Sequence, residues 1–103
     1  MLFEALDKSI KNLSPAVICE FKKLYVSYKL DTNFIDIVIQ KHRLRISVNM
    51  KFVDVYDPNG ICRDITNLGR WGNGDVELYI EHTSDVDQVM EIIEQSYKAQ
   101  VDE

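Results

Sequence analysis

The strict alternation of apolar and polar residues near the middle of the chain limits its fold more than any other feature. Every second residue of Arg43–Asn49 is apolar, and Phe34–Gln40 carries isoleucine at alternate positions. Successive side chains of a strand point to opposite faces, so this period of two predicts strands with one buried and one solvated face. Only Lys41-His42 separates the two segments. The sequence therefore predicts a β-hairpin here.

Helical spacing of apolar residues on both sides of the hairpin predicts a second layer. Residues 2–13 and 86–97 carry apolar side chains three and four positions apart, which is the pattern of a helix with one buried stripe. Ser14-Pro15 predicts the start of a further helix, because serine is a preferred N-cap and proline is favoured at the first helical position. That helix is expected to end near Tyr25.

Turn and strand signals complete the predicted architecture. Alternation predicts strands at 25–30 and 75–81, Asp57–Gly60 has the composition of a β-turn, and Ser84 is expected to cap the last helix. The economical arrangement is an α+β two-layer sandwich, an antiparallel sheet of about four strands with helices on one face. The other face is expected to be solvated and to display Asp36, Arg43, Arg45, Ser47, Glu77 and Tyr79.

A glycine-rich loop surrounds the only tryptophan of the chain. Gly69, Gly72 and Gly74, three of the four glycines, lie within six residues around Trp71. Glycine is required where the backbone has positive φ or approaches another segment closely, so this density predicts a loop of defined shape. Trp71 either closes the open end of the core or lines a binding pocket. The pocket residues would be Arg63, Arg70, Trp71 and Asn73, and its ligand a nucleotide, a modified base or a peptide.

Size and composition predict a single domain, residues 1–103, and a cytoplasmic location. The chain has 103 residues and 46% hydrophobic residues, which suits one modest core. Cys19 and Cys62 are isolated and lack metal-ligand spacing, so they are expected to be reduced thiols. No apolar run approaches the length of a bilayer span, and the N-terminus lacks a signal-peptide pattern. No membrane partner is expected.

Charge is unevenly distributed along the chain. Residues 22–51 carry seven basic and two acidic residues, whereas residues 75–103 carry nine acidic residues and one basic residue. A formal net charge of −5 argues against a free-standing nonspecific DNA-binding protein, since phosphate affinity requires a basic field. A local basic patch is still compatible with this balance, as is mutual neutralisation of the two regions in the fold.

Recognition of an anion or a nucleic acid is the first functional hypothesis. The cations of the predicted hairpin, with nearby aromatic rings, form the combination that single-strand binding proteins use. The competing interpretation is structural, with Arg43 and Arg45 paired to Asp36 and Glu77 across strands. The complete set of candidate binding residues is Arg43, Arg45, Arg63, Arg70, Trp71, Asn73 and Tyr79.

A hydrolytic enzyme is the alternative hypothesis. Asp64, Asp75 and Glu77 are the carboxylates that a metal-dependent nuclease would use to position and activate water. Tyr79 occupies the position where the usual acidic-x-lysine pattern would have lysine, so the match is poor. No motif for covalent catalysis is present. The sequence therefore favours a non-enzymatic role, with no catalytic residue, cofactor or metal.

Ordered stretches along nearly the whole chain resemble one family of bacterial domains. They include Thr32–Asp36, Asp57–Gly60 and the segment from Gly69 to Glu77. The family is uncharacterised and is often labelled "predicted transport protein". More distantly, the order of elements is similar to that of YdhG-like domains, which are compared with frataxin and TBP-like folds.

The resemblance implies a context rather than an activity. Members of this family commonly lie at the C-terminal end of larger proteins, including ParB-like-nuclease relatives of GmrSD-type restriction systems. The chain would then be the C-terminal domain of a longer protein, and its partner the catalytic part of that protein. An accessory recognition or interaction domain in a restriction or defence context is the resulting expectation.

Overall fold

An antiparallel sheet covered on one face by two helices forms the protein. The computed structural model describes residues 2–67 and 74–101, and all element counts refer to these residues. The helices are α1 (Leu2–Lys11) and α2 (Val86–Val101). The strands are β1 (Ile18–Phe21), β2 (Val26–Lys29), β3 (Asn33–Ile39), β4 (Leu44–Val48), β5 (Arg63–Asp64) and β6 (Val76–Ile80). Two single-turn 3₁₀ helices are Phe52–Asp54 and Thr83–Asp85.

The six strands lie in the order β1-β2-β3-β4-β6-β5, and every neighbouring pair is antiparallel. The predicted α+β class is therefore confirmed, as is the hairpin of β3 and β4, whose turn is closed by a hydrogen bond from the Gln40 N–H to the Arg43 carbonyl. The predicted number of about four strands is wrong. The two additional strands, β1 and β5, are short and lie at the two edges of the sheet, where a strand needs few paired residues to form.

The hydrophobic core lies between the helices and one face of the sheet. Ile37 pairs with Ile46, and Ile46 pairs with Leu78, so one apolar row crosses the three central strands. All three side chains are buried, and α2 packs against β3 and β4. Within the described residues, neither helix is long and apolar enough to cross a membrane.

A β-bulge brings one predicted polar-face residue into the core. Alternation placed Phe34 on the same face as Asp36, but the register between β2 and β3 shifts by one residue beyond the Tyr28–Ile35 pair. The extra residue of such a bulge leaves the regular alternation. The Phe34 ring packs edge-on against Tyr97 of α2 at 5.9 Å and is fully buried.

The prediction of a helix that starts at Ser14-Pro15 is wrong. Ser14 instead forms a turn, in which its hydroxyl accepts a hydrogen bond from the Ala16 N–H, and the chain then enters β1. The apolar residues of this segment are compatible with either element, and pairing with β2 decides for a strand because local propensity is a weak preference. Helix α2 begins at Val86 after a 3₁₀ turn, one residue later than a Ser84 N-cap predicts.

A hydrogen bond joins α1 to the sheet. The hydroxyl of buried Tyr28 donates it to Asp7 at 2.7 Å, which connects β2 to α1.

The Asp57 carboxylate stabilises a turn. It accepts hydrogen bonds from the N–H groups of Ile61 and Cys62 at 3.0 and 2.8 Å, around a turn that ends at Gly60. The predicted turn at Asp57–Gly60 is therefore confirmed. Desolvation opposes the charge of Asp57, but these hydrogen bonds outweigh it and hold the pKa of its carboxyl below the usual value.

We expect Asp57→Ala to lower the free energy of unfolding by about 2 kcal/mol at neutral pH, since it removes hydrogen bonds to a charged acceptor. Because the folded-state pKa is lowered, this stabilisation is present above the unfolded-state pKa of aspartate and is lost as the pH falls through the folded-state value. Denaturant unfolding across acidic pH should show the two proteins converging. Asp54→Ala, on an exposed residue of the same region, is the control, and an equal loss in that variant would contradict the assignment.

Gly74 is required by both backbone conformation and space. Its φ is +89°, and a Cβ there would overlap the carbonyl oxygen of Val48 and the Cα of Asn49. Gly60 also has positive φ, +65°, but faces open space. The prediction that glycines of this loop serve positive φ and close approach is confirmed at Gly74, whereas Gly69 and Gly72 lie outside the described residues.

We expect Gly74→Ala to destabilise the protein by at least about 3 kcal/mol, because backbone strain of about 1–2 kcal/mol is added to a steric overlap with β4. Gly60→Ala carries the strain alone and should cost about 1–2 kcal/mol. Thermal unfolding of both variants provides the comparison. Equal losses would show that the contact with β4 does not restrict Gly74.

Candidate functional site

A row of polar side chains crosses the face of the sheet opposite the helices. Residues paired across neighbouring strands lie on the same face, and the register aligns one residue from each of the six strands in a single row. This polar row consists of Glu20, Ser27, Asp36, Ser47, Glu77 and Arg63.

The predicted polar residues do lie on one face of the sheet, but some of them are buried rather than solvated. Ser27 and Glu77 are fully buried and Asp36 is 4% exposed. The expectation of an entirely wet face is therefore wrong for these residues. Periodicity assigns a residue to a face and contains no information about how deeply that face is covered.

Glu77 is the centre of the site. Its two carboxylate oxygens lie 4.0 Å from Arg45 Nε and 3.6 Å from Arg63 Nη1. The Arg45 side chain is 22% exposed and that of Arg63 is 59% exposed, while Glu77 is inaccessible. Burial removes a carboxylate from water, which is costly unless neighbouring cations compensate for the lost hydration. The two arginines flank it from the neighbouring strands β4 and β5.

Tyr79 extends the site toward the β3–β4 turn. It pairs with Arg45 on β4 and lies two residues from Glu77 on the same face. The Arg43 guanidinium carbon lies 3.8 Å from the centre of the Tyr79 ring, which is a cation–π contact. Arg43 Nε also donates a hydrogen bond to Gln40 at 2.8 Å. Arg43 is thus held at the surface, where it is exposed.

Asp36 contributes a second buried carboxylate to the polar row. It accepts a hydrogen bond from the Asn33 side-chain amide at 3.3 Å and pairs in register with Ser27 and Ser47. The sequence predicted cross-strand pairing of the arginines with Asp36 and Glu77. The structure shows that pairing for Arg45 with Glu77, while Arg43 contacts Gln40 and Tyr79.

Four of the seven predicted binding residues therefore share one surface. Arg43, Arg45, Arg63 and Tyr79 come from β4, β5, β6 and the turn before β4, which only the sheet register brings together. We call them the arginine face. The other three predicted residues, Arg70, Trp71 and Asn73, lie outside the described residues.

Among the three carboxylates of the enzyme hypothesis, Asp64 does not share a surface with Glu77. Asp64 pairs with Val76, whereas Glu77 pairs with Arg63, so Asp64 and Glu77 belong to opposite faces of the sheet. The Asp64 carboxylate also accepts hydrogen bonds from the Thr66 N–H and hydroxyl. Within residues 2–67 and 74–101, no group of three or more His, Cys, Asp or Glu side chains is placed to hold a metal ion.

Neither cysteine is activated as a nucleophile. Both are free thiols. Burial, followed by the neighbouring Asp57 carboxylate, raises the pKa of Cys62 to about 12, and burial also raises the pKa of Cys19. The thiolate is the nucleophilic form, and the raised pKa of each thiol disfavours it at neutral pH.

A groove of about 430 Å³ lies on the other side of the molecule, between α2 and the loop at 56–61. One polar side chain of its wall is already engaged, because the Gln95 amide accepts a hydrogen bond from the Tyr56 N–H at 2.8 Å and donates one to the Tyr56 carbonyl at 2.7 Å. These hydrogen bonds attach the loop to α2, which gives Gln95 a structural role. We therefore regard the arginine face as the better candidate for ligand recognition.

We expect Glu77→Ala to lower the free energy of unfolding by about 3–5 kcal/mol, because it removes the carboxylate that two arginines contact inside the fold. Glu81→Ala, an exposed position directly after the same strand, should change stability by less than about 0.5 kcal/mol. Chemical denaturation of the three proteins measures both differences. An unfolding free energy of Glu77→Ala equal to that of the wild type would contradict the role of Glu77 as the centre of the site.

Comparison with known proteins gives a family and no activity. A relative from Haemophilus influenzae, itself an uncharacterised protein, is 37% identical over 97 residues that cover 94% of this chain and 32% of that protein. The chain thus spans about a third of that relative's length. No solved structure matches the chain. The family model described as "Domain of unknown function (DUF5655)" matches residues 1–100, and the chain therefore belongs to the DUF5655 family.

Proposed function

We propose that this domain is a recognition module that binds an anionic ligand, nucleic acid first of all, on the arginine face. The observation that supports this most is the convergence of Arg43, Arg45 and Arg63 beside Tyr79, from elements far apart in the sequence. Guanidinium groups present a planar array of donors that fits phosphate oxygens in two-point contacts. An aromatic ring next to them offers a stacking surface for a base.

The fold places the acidic helix α2 away from the arginine face. Acidic residues are concentrated on α2 and the turn before it, Asp85, Asp87, Glu91 and Glu94, and this helix covers the apolar face of the sheet. The arginine face is on the opposite side. A polyanion can therefore approach the arginines without meeting the acidic helix, which reconciles a basic binding surface with an acidic protein.

Glu77 has a positioning role in this proposal. Its buried carboxylate lies 4.0 Å from Arg45 Nε and 3.6 Å from Arg63 Nη1, and both arginine side chains are partly exposed to solvent. Arginine side chains carry considerable rotamer entropy, and fixing them before binding lowers the cost of ordering them on a ligand. The alternative role, a nuclease using Asp64, Asp75 and Glu77, receives less support because Asp64 lies on the other face.

We further propose that recognition serves a larger protein. The Haemophilus relative is about three times as long as this chain, since the match covers 32% of it. The resemblance to domains at the C-terminal end of restriction-associated proteins suggests that the remainder carries a catalytic unit, which this domain would guide to its target. In that reading the parent protein's catalytic domain is a partner, together with nucleic acid.

The test is a titration of labelled single- and double-stranded DNA and RNA with the wild-type protein and with Arg43→Gln and Arg63→Gln. Both substituted residues are exposed, but Arg63 also contacts buried Glu77, so thermal unfolding of each variant is measured alongside the titration to confirm that it is folded. Each is expected to weaken binding by about 1–3 kcal/mol or, for a phosphate contact, to reduce the slope of log K against log salt by about one. Lys98→Gln on α2 removes the same charge from the opposite layer and should bind like the wild type.

Absence of binding at low salt to any of these nucleic acids would overturn the nucleic-acid form of the proposal. An equal effect of Lys98→Gln and Arg63→Gln would show that only net charge matters. Metal-dependent cleavage of the same oligonucleotides that is lost in Asp75→Asn would replace the proposal by the nuclease alternative.

A further inference from the structure

Arg43 and Tyr79 form a stack at one end of the arginine face. The guanidinium carbon of Arg43 lies 3.8 Å from the centre of the Tyr79 ring, which is within the range of carbon atoms in van der Waals contact. A planar guanidinium favours this position over an aromatic ring, because cation–π attraction is added to stacking. Arg43 is exposed to solvent, whereas Tyr79 is half-buried. Arg43 is therefore the outer member of the stack, and Tyr79 supports it.

Gln40 holds Arg43 from the other side of the β3–β4 turn. The Arg43 Nε donates a hydrogen bond to the Gln40 side-chain oxygen at 2.8 Å, and the Gln40 N–H donates one to the Arg43 carbonyl at 2.9 Å. Both the backbone and the side chain of Arg43 are thus fixed by the same hairpin. An arginine ordered in this way has given up rotamer freedom before a ligand arrives, which lowers the entropy cost of binding.

A groove of about 300 Å³ borders Arg43 at this turn. Its lining includes apolar residues, among them Ile39 and Leu44, and polar residues, among them His42 and Glu81. A nucleobase has two apolar faces and an edge of hydrogen-bond donors and acceptors, so a mixed lining suits it. A phosphate group would gain nothing from the apolar part. The surroundings of Arg43 therefore fit a base better than they fit a phosphate.

We propose that an unpaired base of a single-stranded nucleic acid stacks on the outer side of the Arg43 guanidinium, whose inner side rests on Tyr79. Unstacked bases of single strands are recognised in this way on guanidinium planes. The inference rests on the proposed function, because it assigns Arg43 to the base and leaves Arg45 and Arg63 to phosphates. Arg45 is two residues beyond Arg43, roughly 7 Å in extended backbone. The sugar of one nucleotide spans such a distance between its base and a phosphate.

A duplex does not offer this contact. Its bases are paired and stacked on one another, so a protein reaches their edges in the grooves and the phosphates along the outside. Moving a base out of the duplex stack costs free energy. On a duplex, the arginine face would therefore contact phosphates alone and Arg43 would lose its stacking partner. We expect the domain to prefer single strands at physiological salt.

Three fluorescein-labelled DNA probes of equal length test this inference. They are a single strand, the same strand paired with its complement, and a strand in which abasic sites replace the bases. The first and the last carry the same number of phosphates. The wild type should bind the base-bearing single strand at least about fivefold more tightly than the abasic strand, which is the lower end of what one stacked base contributes. The slope of log K against log salt should be the same for both strands.

Two charge-conserving variants separate the base contact from the phosphate contacts. Arg43→Lys keeps the positive charge but removes the planar group, so it should abolish the preference for the base-bearing strand and leave the salt slope unchanged. Arg63→Lys makes the same change at an arginine assigned to phosphate, and it should weaken binding of both strands by the same factor. Thermal unfolding of each variant confirms that it is folded.

The outcomes distinguish this inference from the proposed function. Equal affinities of the wild type for base-bearing and abasic strands would overturn the inference and leave the phosphate-binding proposal standing. A preference that survives Arg43→Lys, or that Arg63→Lys abolishes equally, would overturn the inference as well. Absence of binding to every probe at low salt would instead overturn the nucleic-acid proposal, and the inference with it.

Discussion

The register between β3, β4 and β6 is the constraint on which the rest of the structure depends. Ile37, Ile46 and Leu78 lie side by side in it, and this apolar row is what the helices cover. A shift of one residue in any of these strands would exchange its two faces and expose its apolar side chains to water. Burial of these residues therefore selects the register, at about 25 cal/mol for each Å² of apolar surface removed from water.

The same register creates the arginine face as a consequence. Once Ile46 lies beside Leu78, the adjacent residues Arg45 and Tyr79 must pair on the other face, and Glu77 must lie between β4 and β5. The core thus fixes the site without any contact to it. Buried ionic groups such as Glu77 are weak evidence for stability, because desolvation offsets much of the Coulomb attraction. Their presence in the middle of a sheet face is better explained by a role in holding the arginines.

The two edges of the sheet differ from its centre in how well the sequence specifies them. In the central hairpin, β4 alternates strictly and β3 carries isoleucine at alternate positions, and both strands lie within one residue of their predicted bounds. β1 contains apolar residues that also fit a helical spacing, and a serine–proline pair before it strengthened the wrong assignment. Its pairing with β2 decided the matter. β5 is two residues long and has no periodicity that could be read.

For the candidate site residues, too, the sequence indicated the residue types, whereas strand pairing decided which of them lie together. Arg43, Arg45, Arg63 and Tyr79 were recognisable as exposed polar residues near strands, but their convergence depends on the neighbours that each strand acquires. Burial of Asp36 and Glu77 left no trace in the sequence pattern, because alternation is identical for a solvated face and for a covered polar face. Placement of Asp64 on the face opposite Glu77 likewise required the pairing of β5 with β6.

By itself, the sequence determined the α+β class, the central hairpin, the stripe of α2 and the turn at Asp57–Gly60, since each depends on interactions among residues close in the chain. The tertiary structure alone decided the strand order, the bulge at Phe34, the two edge strands and the assembly of the arginine face. These features arise from contacts between distant segments, whose free energy depends on which partner each segment meets rather than on its own residues.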